Sequence, residues 1–247
     1  MENEANITAE NGNQKPMGTL ARMINIFWEP SKVFEYIKSK PSWVAPWILI
    51  SVFAMIGLQL TWSINIKSQL EKIRNTPGIT VEQMQTIEDK MGDPNSWSIN
   101  RTLATVGAPI GILVVFVVVA AALYFTGSVI GGGNSTFKHN LAAYSHASLI
   151  GILGTIVTVF LVKIKGTLDI SLSPAIFLPA SMYKSFIYNF LNHFEFFTIW
   201  AYILTSIGFA TIYGFSKAKA YISVGVLWLI WILLTSALTN TFSGLYI

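Results

Sequence analysis

The sequence predicts an all-α integral membrane protein: a bundle of five transmembrane helices, with interfacial amphipathic helices and a helical hairpin outside the bilayer. Three observations carry this. Five runs, at about 43–63, 103–130, 144–162, 196–215 and 220–240, contain no Asp, Glu, Lys or Arg. About 20 such residues suffice to cross roughly 30 Å of hydrocarbon. Only 11% of the 247 residues are charged, against about 25% in a soluble domain, and the mean hydropathy is +0.55. The second and third runs are parted by Gly131-Gly132-Gly133-Asn134-Ser135, a turn cluster. Backbone groups in lipid must be satisfied within the segment, so each run is a helix and the glycines belong at the membrane edge.

The net charge of +4 does not point to nucleic acid. The 16 basic residues are scattered over tails and loops, with no basic stripe or nucleic-acid motif. The chain has no cysteine, which excludes disulfides, iron–sulfur clusters and cysteine nucleophiles.

In chain order, residues 1–17 form a polar tail, rich in Asn and Glu, that is expected to be disordered. The domain of five spans covers 18–240. It opens with two short amphipathic stretches. Leu20, Met23, Ile24 and Phe27 share one helical face with Arg22 and Asn25 opposite; Val33, Phe34 and Ile37 make the second face. Both are too short and charged to span. Either they lie in the headgroup region or they cover the bundle.

The first span begins at Trp43 and Trp47, which fit an aromatic belt, and ends near Trp62. Its helix runs on, because Ile66, Leu70 and Ile73 keep one apolar face, and Pro77-Gly78 ends it. Thr80 with Gln83 is a capping-box pattern for the next helix. The stretch 64–92 is thus a helical hairpin outside the membrane.

The second span is long and contains Pro109, Gly107-xxx-Gly111 and Gly127-xxx-Gly131. The third carries Ala143, Ala147, Gly151 and Thr155 at four-residue spacing. Small residues four apart let helices approach closely, so these two stripes are expected to pack on each other, with Gly151 intolerant of a larger side chain. The segment 166–180, with Pro174 and Pro179, is too broken to cross; it is interfacial or re-entrant. Met182, Phe186, Ile187 and Phe190 mark a surface helix before the fourth span. The fifth span leaves a short uncharged tail, 241–247.

The spacing offers little chemistry. There is no HExxH, and the string nearest to a GxSxG nucleophile elbow, Thr241-Phe242-Ser243-Gly244, is incomplete. The one strongly polar residue read within the spans is His146. His139, His193 and Glu195 are the only other ligands for a metal at it, too few and too scattered. No cofactor, metal or catalytic residue is expected. Spans without acidic or basic residues also speak against an ion pump.

The strings Ile26–Glu35, Lys40–Pro46, Gly131–Phe137, Ala142–Ala147, Phe197–Trp200 and Ser216–Ala220 resemble the Yip (Ypt-interacting protein) domain family in its bacterial form. The resemblance covers about 18–240. It implies a five-span fold, the N-terminus inside the cell and a non-enzymatic membrane role. Eukaryotic members act as adaptors that bind prenylated small GTPases and self-associate. This chain lacks their Asp-Leu-Tyr-Gly-Pro string, so no GTPase-binding residue carries over.

Five spans put the termini on opposite sides. Lys and Arg divide eight against eight between the sides; the tight turn holding Lys217 and Lys219 favours a cytoplasmic N-terminus. The expected location is a bacterial inner membrane, in contact with lipid and with itself or other membrane proteins. Two functions fit: an adaptor or scaffold in membrane organisation, or a transporter or permease subunit for a small solute or lipid. A polar cavity reaching His146 would favour the second, and a dry, closed core the first.

Overall fold

A computed structural model describes residues 17–242 except 77, 169, 180, 181, 183 and 184. The polar tail 1–16, Pro77, Lys184 and the tail from 243 lie outside the described residues. Every regular element among the described residues is helical: α1 (Thr19–Asn25), α2 (Pro30–Ser39), α3 (Val44–Arg74), α4 (Val81–Met91), α5 (Ile99–Tyr124) with a π-turn Phe125–Ile130, α6 (Phe137–Ala147), α7 (Ile150–Lys165), a 3₁₀ turn Pro174–Phe177, α8 (Phe186–Asn192), α9 (Phe196–Tyr213) and α10 (Lys217–Phe242). Five stretches are long and apolar enough to span: Val44–Arg74, Ile99–Ile130, Phe137–Lys165, Phe196–Tyr213 and Lys217–Ala237.

Neighbouring spans run antiparallel. Trp47 Nε1 donates to the Pro109 carbonyl at 3.0 Å, and Gln59 Nε2 donates to Thr105 Oγ1 at 2.5 Å. The Tyr202 hydroxyl donates to the Tyr221 carbonyl at 2.7 Å between α9 and α10. The bundle therefore has one end formed by α1, α2, the 131–136 turn and the α9–α10 turn. The other end carries the hairpin and α8.

α3 has 31 residues, or about 46 Å at ~1.5 Å each, so its last turns leave a bilayer roughly 30 Å thick. There it pairs with α4 through Arg74–Glu88 at 2.7 Å. The α4 start is the capping box its sequence predicts: Gln83 N–H donates to Thr80 Oγ1 at 3.2 Å and Thr80 N–H to Gln83 Oε1 at 2.9 Å. Trp62 is not a belt residue. It is buried, near the Arg101 guanidinium.

The third span begins earlier than expected, at Phe137 rather than 144. The polar run Lys138-His139-Asn140 masks the start; Thr136 caps it, its hydroxyl accepting from His139 N–H. The span then breaks at Ser148–Leu149. α6 is the centre of the bundle, with Asn140 to Ala143 and Ser145 to Ala147 all buried.

α2 packs into the bundle: Val33, Phe34 and Ile37 are fully buried, against α6 and α9. For α1 the expected face holds in part: Met23 and Phe27 pack against the core. Arg22 and Ile26 point inward, while Leu20, Ile24 and Trp28 are 66%, 51% and 78% exposed. At a membrane boundary apolar and Trp side chains tolerate the outside, and Arg22 finds the Tyr36 ring at 4.8 Å and the Thr19 hydroxyl at 3.0 Å. In the broken segment the Ser171 and Ser173 hydroxyls each donate to Asn192 Oδ1 at 3.1 Å, tying the segment to the end of α8.

Candidate functional site

At the N-terminal end, the last turn of the second span winds too wide for an α-helix. Gly131 N–H bonds the Thr126 carbonyl at 2.8 Å and Gly133 N–H the Gly127 carbonyl at 2.9 Å. This brings glycines against the end of α9. A Cβ at Gly127 would collide with the Tyr213 ring, and one at Gly131 would sit 2.9 Å from Phe215. Tyr213 and Phe215 stack at 5.2 Å on either side of Gly214, whose positive φ of 67° suits a residue with no Cβ.

The Tyr213 hydroxyl accepts from Asn140 Nδ2 at 2.9 Å and shares a bond with Ser128 Oγ at 3.1 Å. Asn140 Nδ2 also donates to the Thr136 carbonyl at 3.0 Å. Lys219 Nζ donates to the Gly131 carbonyl at 2.9 Å and lies 3.6 Å from the centre of the Phe215 ring. A cation at a helix C-terminus meets the negative end of the dipole. This closed end locks together the second, third, fourth and fifth spans. Asn140 and Tyr213 are its centre, and neither stands out by local spacing because their partners lie 73 residues apart.

The small-residue candidates divide, and the expected packing of one stripe on the other is not found. Gly127 and Gly131 face α9, not the third span. Gly107 and Gly111 are exposed, with nothing within 4 Å of an added Cβ. Ala143 and Ala147 are buried in the main core. Thr155 faces α3, where its methyl lies 3.0 Å from a Cβ built on Gly57. Gly151 faces open space, whereas a Cβ at Gly225 would be 3.1 Å from the Tyr202 hydroxyl. The helix is interrupted at Ser148–Leu149, between Ala143 and Ala147 on one side and Gly151 and Thr155 on the other.

His146 is fully buried. Its Nδ1 donates to the Ala142 carbonyl at 2.8 Å, and Nε2 has no partner among the described residues. His139 Nε2 donates to the Lys38 carbonyl at 3.1 Å, fastening α2 to α6. His193, at the opposite end, meets Thr235 Oγ1 at 3.0 Å, and burial lowers its pKa from the ordinary imidazole value. The three histidines do not converge. His146 is also not the only strongly polar residue within the spans: Gln59 Oε1 accepts from Arg101 Nε at 2.6 Å.

A groove of about 660 Å³ lies on the side of the bundle, between α3, α7 and α9. It is lined along α7 from Tyr144 and Ser148 past Gly151 and Thr155 to Val162, and Glu195, two residues before the Phe197 that meets Gly154, is also on its lining. His146 is not on its lining. Glu195 is half-buried at the start of α9 and its side chain caps nothing. Burial pushes its carboxyl above the usual carboxylate range.

No solved structure matches the chain. Among curated proteins, Membrane protein YknW of Bacillus subtilis (strain 168) is 29% identical over 239 residues, covering 94% of this chain and 97% of that protein. The Yip1 domain model matches residues 24–238, a stretch that takes in α2, the glycine turn and all five spans. With so much of its length matched, the chain belongs to the Yip1 domain family of membrane proteins.

Proposed function

We propose that this protein is a non-enzymatic scaffold of the bacterial inner membrane that holds other membrane proteins, or further copies of itself, through the outer faces of its bundle. The observation that carries the reading is the closed centre. His146 is fully buried on α6, a helix whose residues Asn140 to Ala143 and Ser145 to Ala147 are all buried, and the groove beside α7 does not reach it. The interlocked closed end supports a rigid body rather than alternating halves. The competing reading, a transporter or permease subunit, requires a polar path that changes sides.

The same reading takes the N-terminus as cytoplasmic, supported by Lys217 and Lys219 in a tight turn beside two spans. Reporter fusions at Met1 and Ile247 check the placement; both reporting one compartment would rule it out. The function is tested by cross-linking the tagged protein in its native membrane and identifying what co-purifies by mass spectrometry. The scaffold reading expects membrane proteins in stoichiometric amount. Recovery of the chain alone, with loss of uptake of a defined solute in a deletion strain, would give the protein to transport.

A further inference from the structure

The side groove lies between three spans, at hydrocarbon depth, so what fills it is drawn from the membrane. Three of its hydroxyls are satisfied by their own helices. The Thr61 hydroxyl donates to the Gly57 carbonyl at 2.8 Å, Ser148 to Tyr144 at 2.8 Å and Thr155 to Gly151 at 2.9 Å. These three hydroxyl hydrogens are thereby occupied, and with Ala54, Leu58, Ile150, Val159 and Val162 beside them the wall is mostly apolar. Space is kept by Gly151, which has nothing within 4 Å of an added Cβ. The volume of about 660 Å³ falls in the ~300–1,000 Å³ range of ligand pockets. The stretch from Ser148 to Val162 rises about 21 Å, more than the ~15 Å of hydrocarbon in one leaflet.

One charged side chain lines the groove. Glu195 stands where α9 enters the membrane, half-buried, with no ion pair among the described residues. A lone carboxylate at headgroup depth complements an ammonium and repels an anionic headgroup.

We propose that the groove is a lipid site, in which an acyl chain of one phospholipid lies along α7 and an ammonium headgroup, that of phosphatidylethanolamine, donates to the Glu195 carboxylate. The leaflet is the one facing away from the N-terminus. Phosphatidylcholine has the same charge but no N–H to donate. Phosphatidylglycerol places an anion against Glu195.

The purified chain, exchanged into mild detergent with equal amounts of dioleoyl phosphatidylethanolamine, phosphatidylcholine and phosphatidylglycerol, is read by native mass spectrometry. The wild type retains phosphatidylethanolamine about tenfold over either competitor. Glu195→Gln keeps an adduct and loses the preference. Gly151→Leu fills the groove and loses adducts of all three lipids, with a thermal melt like the wild type; Thr158→Leu, also on the lining, is the second blocking variant if that melt falls. Equal retention of the three lipids by the wild type overturns the proposal. So does a preference that survives both blocking variants. A wild-type dimer that Gly151→Leu turns into a monomer also overturns it and gives the groove to a second copy. No partner protein is present in this experiment, so its failure is distinct from failure of the scaffold reading.

Discussion

An added Cβ at Gly127, Gly131 or Gly208 would meet the ring of Tyr213, Phe215 or Phe34, whereas one at Gly151 would meet nothing within 4 Å. The first three lie around the closed end, the last in the side groove. The same residue therefore serves opposite ends: it lets aromatic rings press onto a backbone in one region and leaves room for something outside the chain in the other. In water, burying apolar surface would drive both regions to close. In lipid that drive is absent, because acyl tails are as apolar as Leu, and only packing and hydrogen bonds hold helices together. A bundle can then stay open wherever neither is supplied.

The largest effect should come from the wedge of α2. Phe34 is fully buried, and its ring lies 2.8 Å from a Cβ built on Gly208. Phe34→Ala should cost about 3–5 kcal/mol, read as loss of the folded peak in detergent melts. A wild-type melt would show that α2 is a loose cover. Next, Gly127→Ala forces a methyl against Tyr213 and should cost about 1–3 kcal/mol. If it melts with the wild type, the closed end is soft.

Tyr213→Phe removes the acceptor of Asn140 and the partner of Ser128 while leaving the ring. Membrane hydrogen bonds average about 0.6 kcal/mol, so the loss should be near 1 kcal/mol, and Asn140→Ala combined with it should add little. Full additivity in that double-mutant cycle would contradict the hydrogen bond. Thr80→Ala breaks the capping box outside the bundle. It should cost α4 about 1 kcal/mol, seen as faster amide exchange over residues 81–91 with the bundle melt unchanged.

The same contrast explains what could be read from the sequence. The five spans were legible because charge is excluded from hydrocarbon over a length that geometry fixes, and the α4 cap because Thr80 and Gln83 are three residues apart. What was hidden depends on partners far along the chain. His139 belongs to the third span because its Nε2 reaches the Lys38 carbonyl, 101 residues away. Gln59 escaped notice because Arg101 and Thr105 answer it from the next span. Arg22, opposite the apolar face by spacing, points inward because the Tyr36 ring and the Thr19 hydroxyl meet it there. Four-residue spacing marked Gly127 and Gly151 alike, since it records that a helix face is small and not what faces it.

The most direct measurement compares Gly127→Leu with Gly151→Leu in thermal melts of purified protein in one detergent. The account predicts that Gly127→Leu yields no cooperative folded species. It predicts that Gly151→Leu stays within about 0.5 kcal/mol of the wild type, or roughly 1–2 °C for a chain of this size. Equal loss in the two variants would contradict it, because the third span would then be packed at Gly151 as tightly as the second is at Gly127.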